Sequence, residues 1–451
     1  MNPEEALNRV NPRSAPSKLR ITDLRVTEIC GAPGRSVLIK IHTNQGLVGL
    51  GEVRDGGSAT YALMLKSRLL GENPCNVDKL FRKLKQFGGH ARLGGGVSGV
   101  ELALWDLAGK AYGAPVYQML GGRFNDRIRM YCDTHTERGC ALSDMQAALR
   151  RRMDQGFGFL KIDVGLNLLR KEGGLLCNPA DATDFRGNEA SLAPPCESVA
   201  DYERRRRALE RLNVAHPFTN VHVTEKGLDV LEEYVAAARE TVGAGTPLAI
   251  DHLGHVSVEN CIKIARRLEK YHLAWLEDPI PWQYTDQYVR LSSATTTPIC
   301  TGEDIYLKEN FRPLIERRGV SVIHPDVLST GGILETKKIA DMAEEAGIAM
   351  AIHMAESPVA CLAAAHVAAA SANFIGLEFH SADCPWWDDL AIGPKKPIIQ
   401  GGFIELSDAP GLGIEDLDDD VIRERLHPDT SELWASTESW NHERSHDRLW
   451  S

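Results

Sequence analysis

Three acids recur at a fixed spacing in the second half of the chain. Asp251 closes the run PLAID, Glu277 closes LAWLE and Glu303 follows PICTG, with neighbours 26 positions apart. That interval is close to the roughly 30 residues of one strand and helix unit, so each acid falls at the carboxyl end of a successive parallel strand. In a barrel those ends converge on the face where active sites are built. Carboxylates gathered there repel one another unless a cation joins them. Oxygen-only ligation with room left for water and substrate suits magnesium.

The register continues past these acids. Asp326 ends the next run in IHPDVLSTGG, His353 ends AMAIH and Glu378 ends FIGLE, with His380 two residues further on. A histidine beside an aspartate is fixed in one tautomer and gains basicity, which suits proton transfer near neutral pH. Earlier in the chain, FLKIDVG supplies Lys161 and Asp163, two apart and so on one side of a strand. A lysine aimed into a barrel mouth needs an anionic partner, and a metal-bound substrate or the acids would supply it.

These side chains need a scaffold, and the sequence suggests one. From Ile21 to about Val53, LRVTEIC, SVLIKIHT and LVGLGEV are separated by short turns, the pattern of a small antiparallel sheet. Helical periodicity follows in GVELALWDLAGKAYGAPVYQML, where Val100, Leu104, Leu107 and Ala108 share one face before Gly121 and Gly122 stop the run. Beyond this, RIRMYCD, FLKIDV, PLAID, LAWLED, TPICTGED, SVIHPDV, IAMAIH and FIGLEFH alternate with amphipathic helices. That alternation predicts a parallel sheet of βα units.

The expected fold class is α/β: a modified TIM barrel, (β/α)7β, with an N-terminal α+β capping domain. The expected divisions are a polar arm over 1–19, the cap over 20–125, the barrel over 126–408 and a tail over 409–451 packed on the exterior. Residues 166–222 are too long for a plain connection and are expected to cover the barrel mouth.

Composition narrows the function. The 451 residues suffice for two domains, and 43% hydrophobic with 25% charged residues is ordinary for a globular protein. The net charge of -11, from 51 basic and 62 acidic residues, works against a nucleic-acid or anionic-membrane surface. The ten cysteines form no CxxC pair and read as reduced thiols. With no apolar leader and no stretch long enough to span a bilayer, the protein is expected to be cytoplasmic.

The pieces GVELALWDLAGKAYGAPVYQMLGG, KID, WLEDP, TGED, HPDVLSTGGILETKKIADMAEEAGI and the His353 segment followed by SPVACLAAAH together resemble the enolase superfamily, in its mandelate racemase and muconate lactonising branch. The resemblance covers most of the chain. It implies magnesium held by Asp251, Glu277 and Glu303, removal of the proton α to a carboxylate, His353 oriented by Asp326 as acid/base, and Glu378 hydrogen-bonded to the substrate carboxylate.

Asp163 stands where racemases of this branch carry a second lysine, and the Lys-x-Asp pair looks like that of acid-sugar dehydratases. DHLGHVS replaces the usual Asp-Ala-Asn, placing His252 and His255 near the cation, where one would protonate a departing hydroxide. Arg54, His252 and His380 are the expected substrate contacts, and Trp386 and Trp387 are expected to pack rather than to stack on a sugar. The resemblance implies an acid-sugar dehydratase giving a 2-keto-3-deoxy acid, acting as a dimer or octamer. The alternatives are a cycloisomerase, an epimerase using Lys161 as second base, or a metal-binding homologue without turnover.

Overall fold

The computed structural model describes residues 14–32, 34–134, 141–169, 172–177, 221–251 and 256–444. The cap sheet comprises β1 (Ile21–Cys30), β2 (Arg35–Thr43) and β3 (Val48–Val53), antiparallel in that order. The chain continues through β4 (Ile128–Asp133), β5 (Leu160–Asp163), a short antiparallel pair β6 (Leu176–Cys177) and β7 (His222–Val223), and β8 (Leu248–Asp251). Then come β9 (Leu276–Glu277), β10 (Ile299–Thr301), β11 (Val322–Ile323), β12 (Ala349–Ile352), β13 (Phe374–Phe379), β14 (Ala391–Ile392), β15 (Phe403–Ile404) and β16 (Asp416–Leu417).

Two compact units divide the chain. One comprises Met1–Asp133, Asp154–Phe159 and Thr301–Ser451; the other comprises Thr134–Met153 and Leu160–Cys300. In the first, β11, β12, β13 and β4 pair in parallel, and β15 adds antiparallel to β4. In the second, parallel pairing joins β5 to β8, β8 to β9 and β9 to β10. The sheet order β13-β12-β11-β10-β9-β8-β5-β4-β15, with β13 also paired to β4, is that of a modified TIM barrel carrying an N-terminal α+β cap.

Local chemistry sets the connecting helices. Thr224, Ser257 and Ser357 are N-caps whose hydroxyls accept from backbone N–H groups of Gly227, Asn260 and Val359, opening helices Glu225–Val242, Val258–Leu268 and Pro358–Ala369. In Val258–Leu268 the buried Val258, Cys261, Ile264, Ala265 and Leu268 make one apolar stripe. Helix Pro358–Ala369 is buried on every side, and its composition of small apolar residues permits that.

In the first unit, helix Gly95–Tyr112 differs from the one-faced amphipathic helix expected. Most of its residues are buried, on all sides. It packs on β3 so closely that a Cβ at Gly49 would lie 2.3 Å from the Ala103 carbonyl oxygen, and one at Gly51 would lie 2.1 Å from that of Gly99. The alternate glycines of VGLGEV therefore exist to admit a helix backbone. The helix also ends earlier than expected, at Gly113 with φ +70, whose N–H caps Gly109. Pro115 then opens a separate short turn, Val116–Met119.

The C-terminal segment packs on the cap sheet. β16 pairs with β14, Lys40 meets Asp416 at 2.7 Å, and the Lys66 ammonium donates to Thr437 Oγ1 at 2.7 Å. Trp387 is buried and donates its indole N–H to the Glu356 carbonyl at 3.0 Å, so it packs. Trp386 lies beside Arg425, 5.2 Å from the guanidinium carbon to the ring. Among the described residues, no helix is long and apolar enough to cross a membrane. The covering role expected for residues 166–222 falls largely outside the described residues.

Candidate active site

In the second unit, the alternation of β5 turns Lys161 inward between Leu160 and Ile162. Lys161 is fully buried, and its ammonium lies 2.6 Å from Asp251 Oδ2 and 3.0 Å from Glu277 Oε1. An ammonium taken out of water costs several kcal/mol unless it is paired. Two carboxylates from the ends of β8 and β9 provide the pairing, and Trp275 donates to the other oxygen of Glu277 at 2.7 Å. Burial, then the negative charges of Glu277 and Asp278, push the Cys300 thiol well above its ordinary range, so it stays protonated.

The turn after β9 answers why a strand runs into Glu-Asp-Pro. Asp278 has φ +42, its N–H reaches the Cys300 carbonyl at 3.0 Å, and Pro279 follows. A left-handed non-glycine residue before proline is a strained bend. It terminates the strand directly after Glu277.

The first unit holds a second constellation. Pro325 follows β11, and Asp326 then bridges to His353 at the end of β12. Asp326 Oδ1 accepts from the N–H groups of Leu328 and Ser329, which leaves Oδ2 facing His353 Nδ1 at 2.6 Å. The expected histidine and aspartate dyad is present, with its carboxylate locked by a turn. His353 Nε2 lies 3.3 Å from Glu303 Oε2.

Arg54 follows β3 and is 2% exposed. Its guanidinium donates to the Glu303 carbonyl at 2.6 Å and lies 3.4 Å from Glu303 Oε1, 3.3 Å from Asp304, 3.3 Å from Asp55 and 3.8 Å from Asp326. Burial opposes its charge, but Asp326, Glu303, Asp55 and Asp304 outweigh that and hold it firmly protonated. Its donors thus face protein carboxylates, which fix the guanidinium in place. Beside it, burial and then the charges of Asp326 and Asp55 raise Glu356 well above the carboxylate range, so it is neutral.

Glu378, near the end of β13, is fully buried. Its Oε2 accepts from the Tyr131 hydroxyl at 2.9 Å, and its Oε1 lies 3.0 Å from His380 Nε2. Tyr131 also meets His324 Nε2 at 2.5 Å, and Asp133 Oδ2 lies 3.4 Å from His380 Nδ1. His324, His353 and His380 line up with ring centres 5.7 and 5.8 Å apart. Sequence reasoning did not single out Tyr131, Asp133, His324 or Glu356. The signal was there for three of them: Tyr131 and Asp133 alternate at the end of β4, and His324 precedes Asp326 by two on the same strand side. His252 and His255 lie outside the described residues. Asp163 sits at the end of β5, half-buried.

Within the second unit Asp251 and Glu277 offer only oxygen and already stabilise the positive charge of Lys161, so their donor chemistry suits a hard cation.

Residues 14–121 match the family model described as mandelate racemase / muconate lactonizing enzyme, N-terminal domain, and residues 144–421 match the model described as enolase C-terminal domain-like. The chain is 33% identical to D-xylonate dehydratase of Haloferax volcanii over 94% of its length and 92% of that protein. It is 27% identical to D-galactonate dehydratase of Verminephrobacter eiseniae over 90% of its length and 94% of that protein. A solved mandelate racemase/muconate lactonizing enzyme-like protein from Rubrobacter xylanophilus is similar with a TM-score of 0.76 at 31% identity, covering 93% of this chain and 100% of that one.

Proposed function

The chain belongs to the mandelate racemase/muconate lactonizing enzyme family of the enolase superfamily, and from that premise we propose that it is an acid-sugar dehydratase. The observation that carries this reading is the His353 and Asp326 dyad, with Nδ1 facing Oδ2 at 2.6 Å. Relatives named as dehydratases of D-xylonate and D-galactonate support the choice of substrate class.

The dyad makes His353 Nε2 the base. Asp326 holds the proton on Nδ1 and stabilises the imidazolium that forms when the α-proton is taken. Glu378, whose Oε2 accepts from Tyr131, would hydrogen-bond the substrate carboxylate as a neutral acid, donating its O–H. His353 Nε2 first takes the α-proton, which leaves an enediolate; the Cβ–O bond then breaks on the same face and the departing hydroxide takes that proton from the imidazolium. Water is released, and the remaining enol becomes the 2-keto-3-deoxy acid. Asp251, Glu277 and Glu303 would hold magnesium, which when bound supplies positive charge against the negative charge developing on the substrate carboxylate.

A two-base racemase needs an acid/base on each face of the substrate, and Asp163 stands where such enzymes carry a second lysine, which disfavours that reading. His255 keeps its proposed part as an alternative proton donor to the leaving group, Lys161 and Asp163 theirs beside the reacting carbon, and Arg54, His252 and His380 theirs in the substrate site. We further infer that the enzyme works in the cytoplasm as a homo-oligomer, a dimer or octamer.

The test is a library of acid sugars, D-xylonate and D-galactonate included, incubated with magnesium and read as semicarbazide absorbance of the 2-keto acid. Wild type is expected to give product and His353→Asn to lose about 10²–10⁴-fold in kcat. If no keto acid forms across the library while the α-proton exchanges in heavy water, dehydration is wrong and isomerisation takes its place.

A further inference from the structure

We propose that His353, Glu378 and His380 form a second metal site, one for a zinc-like divalent transition ion. All three belong to the first unit, and their ligand atoms lie within 4.8 Å of one another. His380 Nε2 and Glu378 Oε1 are 3.0 Å apart. A tetrahedral ion with bonds near 2.0 Å sets its ligand atoms roughly 3.3 Å apart, so this pair already stands at about the right spacing. The His353 ligand atom lies within 4.8 Å of both.

The supporting groups make the case more than the cluster does. Each histidine has a carboxylate at Nδ1: Asp326 Oδ2 at 2.6 Å from His353, and Asp133 Oδ2 at 3.4 Å from His380. Such a partner holds the proton on Nδ1 and leaves the Nε2 lone pair for a metal. Tyr131 fixes Glu378 by its other oxygen at 2.9 Å. Every ligand thus has the outer partner that metal sites use to orient their donors. The His380 side chain is 24% exposed, which gives an ion a way in. Two imidazoles and a carboxylate, with a fourth position for water, suit zinc, whereas magnesium prefers oxygen alone.

The site has a consequence that rests on the dehydratase reading. An ion there occupies the Nε2 lone pair that abstracts the α-proton, so zinc inhibits the enzyme while magnesium supports it.

Binding is measured apart from activity, by titrating zinc chloride into the full chain in saturating magnesium and by following cobalt(II) absorbance. The expected result is one zinc per chain, an intense tetrahedral cobalt band, and loss of both in His380→Gln. Asp133→Asn, which keeps all three ligands, is expected to weaken zinc about 10–100-fold, and it carries the test if His380→Gln does not fold. Zinc that fails to bind wild type, that ignores both variants, or that is displaced by magnesium would overturn the site. If zinc binds as expected but no acid sugar is dehydrated in its absence, the site stands and the dehydratase reading falls.

Discussion

Lys161 is the residue on which the electrostatics of the second unit turn. With its ammonium removed, Asp251 and Glu277 would face each other in a buried place with no counter-charge. Breaking such a network by deleting one partner typically costs about 3–5 kcal/mol. Lys161→Met is expected to lose stability of that order in metal-free protein and to regain part of it in millimolar magnesium, because an ion held by the same acids restores the missing charge. Urea unfolding with and without magnesium measures this. An equal loss in both conditions would mean that magnesium does not bind at Asp251 and Glu277.

Close backbone approach dominates at the scale of elements. The cap depends on helix Gly95–Tyr112 lying flat on β3, and Gly51 leaves no space for a side chain, with a prospective Cβ 2.1 Å from the Gly99 carbonyl oxygen. Overpacking of this kind typically costs about 1–3 kcal/mol. Gly51→Ala is expected to lower the urea midpoint accordingly, and a stability within about 0.5 kcal/mol of wild type would show that the helix can move away. The same helix anchors a second one. Glu101 accepts from the N–H groups of Ile333 at 2.7 Å and Leu334 at 3.1 Å, capping helix Ile333–Glu345. Since that helix follows Asp326, the cap helps to set the turn that orients the dyad.

For the whole molecule, two buried groups in the first unit shape the dependence of stability on pH. Burial pushes Glu52 up from 4.5 to about 7, although Ser357 and Ala360 donate to it from the start of helix Pro358–Ala369. A folded value above the unfolded one means that its contribution is fully present below pH 4.5 and is lost as pH rises through about 7. Burial pushes His366 down from 6.5 to about 4, with its Nδ1 accepting the Tyr117 N–H at 3.1 Å. Its contribution is present above pH 6.5 and is lost as pH falls through about 4. Each is worth about 3 kcal/mol at most. Glu52→Gln is therefore expected to flatten the loss on going from pH 4.5 up to 7, and His366→Gln the loss on going from pH 6.5 down to 4, read as urea midpoints from pH 4 to 9. A Glu52→Gln curve parallel to wild type between pH 4.5 and 7 would mean that Glu52 is ionised when buried.

The sequence by itself determined the strand-end register: Asp251, Glu277, Asp326, His353 and Glu378 all close or closely follow the strands expected of them, because a βα unit has a nearly fixed length and side chains alternate along a strand. The same periodicity made the cap sheet and the modified barrel legible. Tertiary structure decided what those rules do not reach. That Arg54 lies among Glu303, Asp304, Asp55 and Asp326, that Tyr131 holds Glu378, and that Asp133 lies behind His380 are contacts between residues far apart in the chain. Helix Gly95–Tyr112 is buried all round because of what packs on it, and its own pattern did not announce this. Period and spacing are local properties of a chain, whereas the partner of a buried charge is fixed only when the fold brings distant residues together and desolvation requires that each be paired.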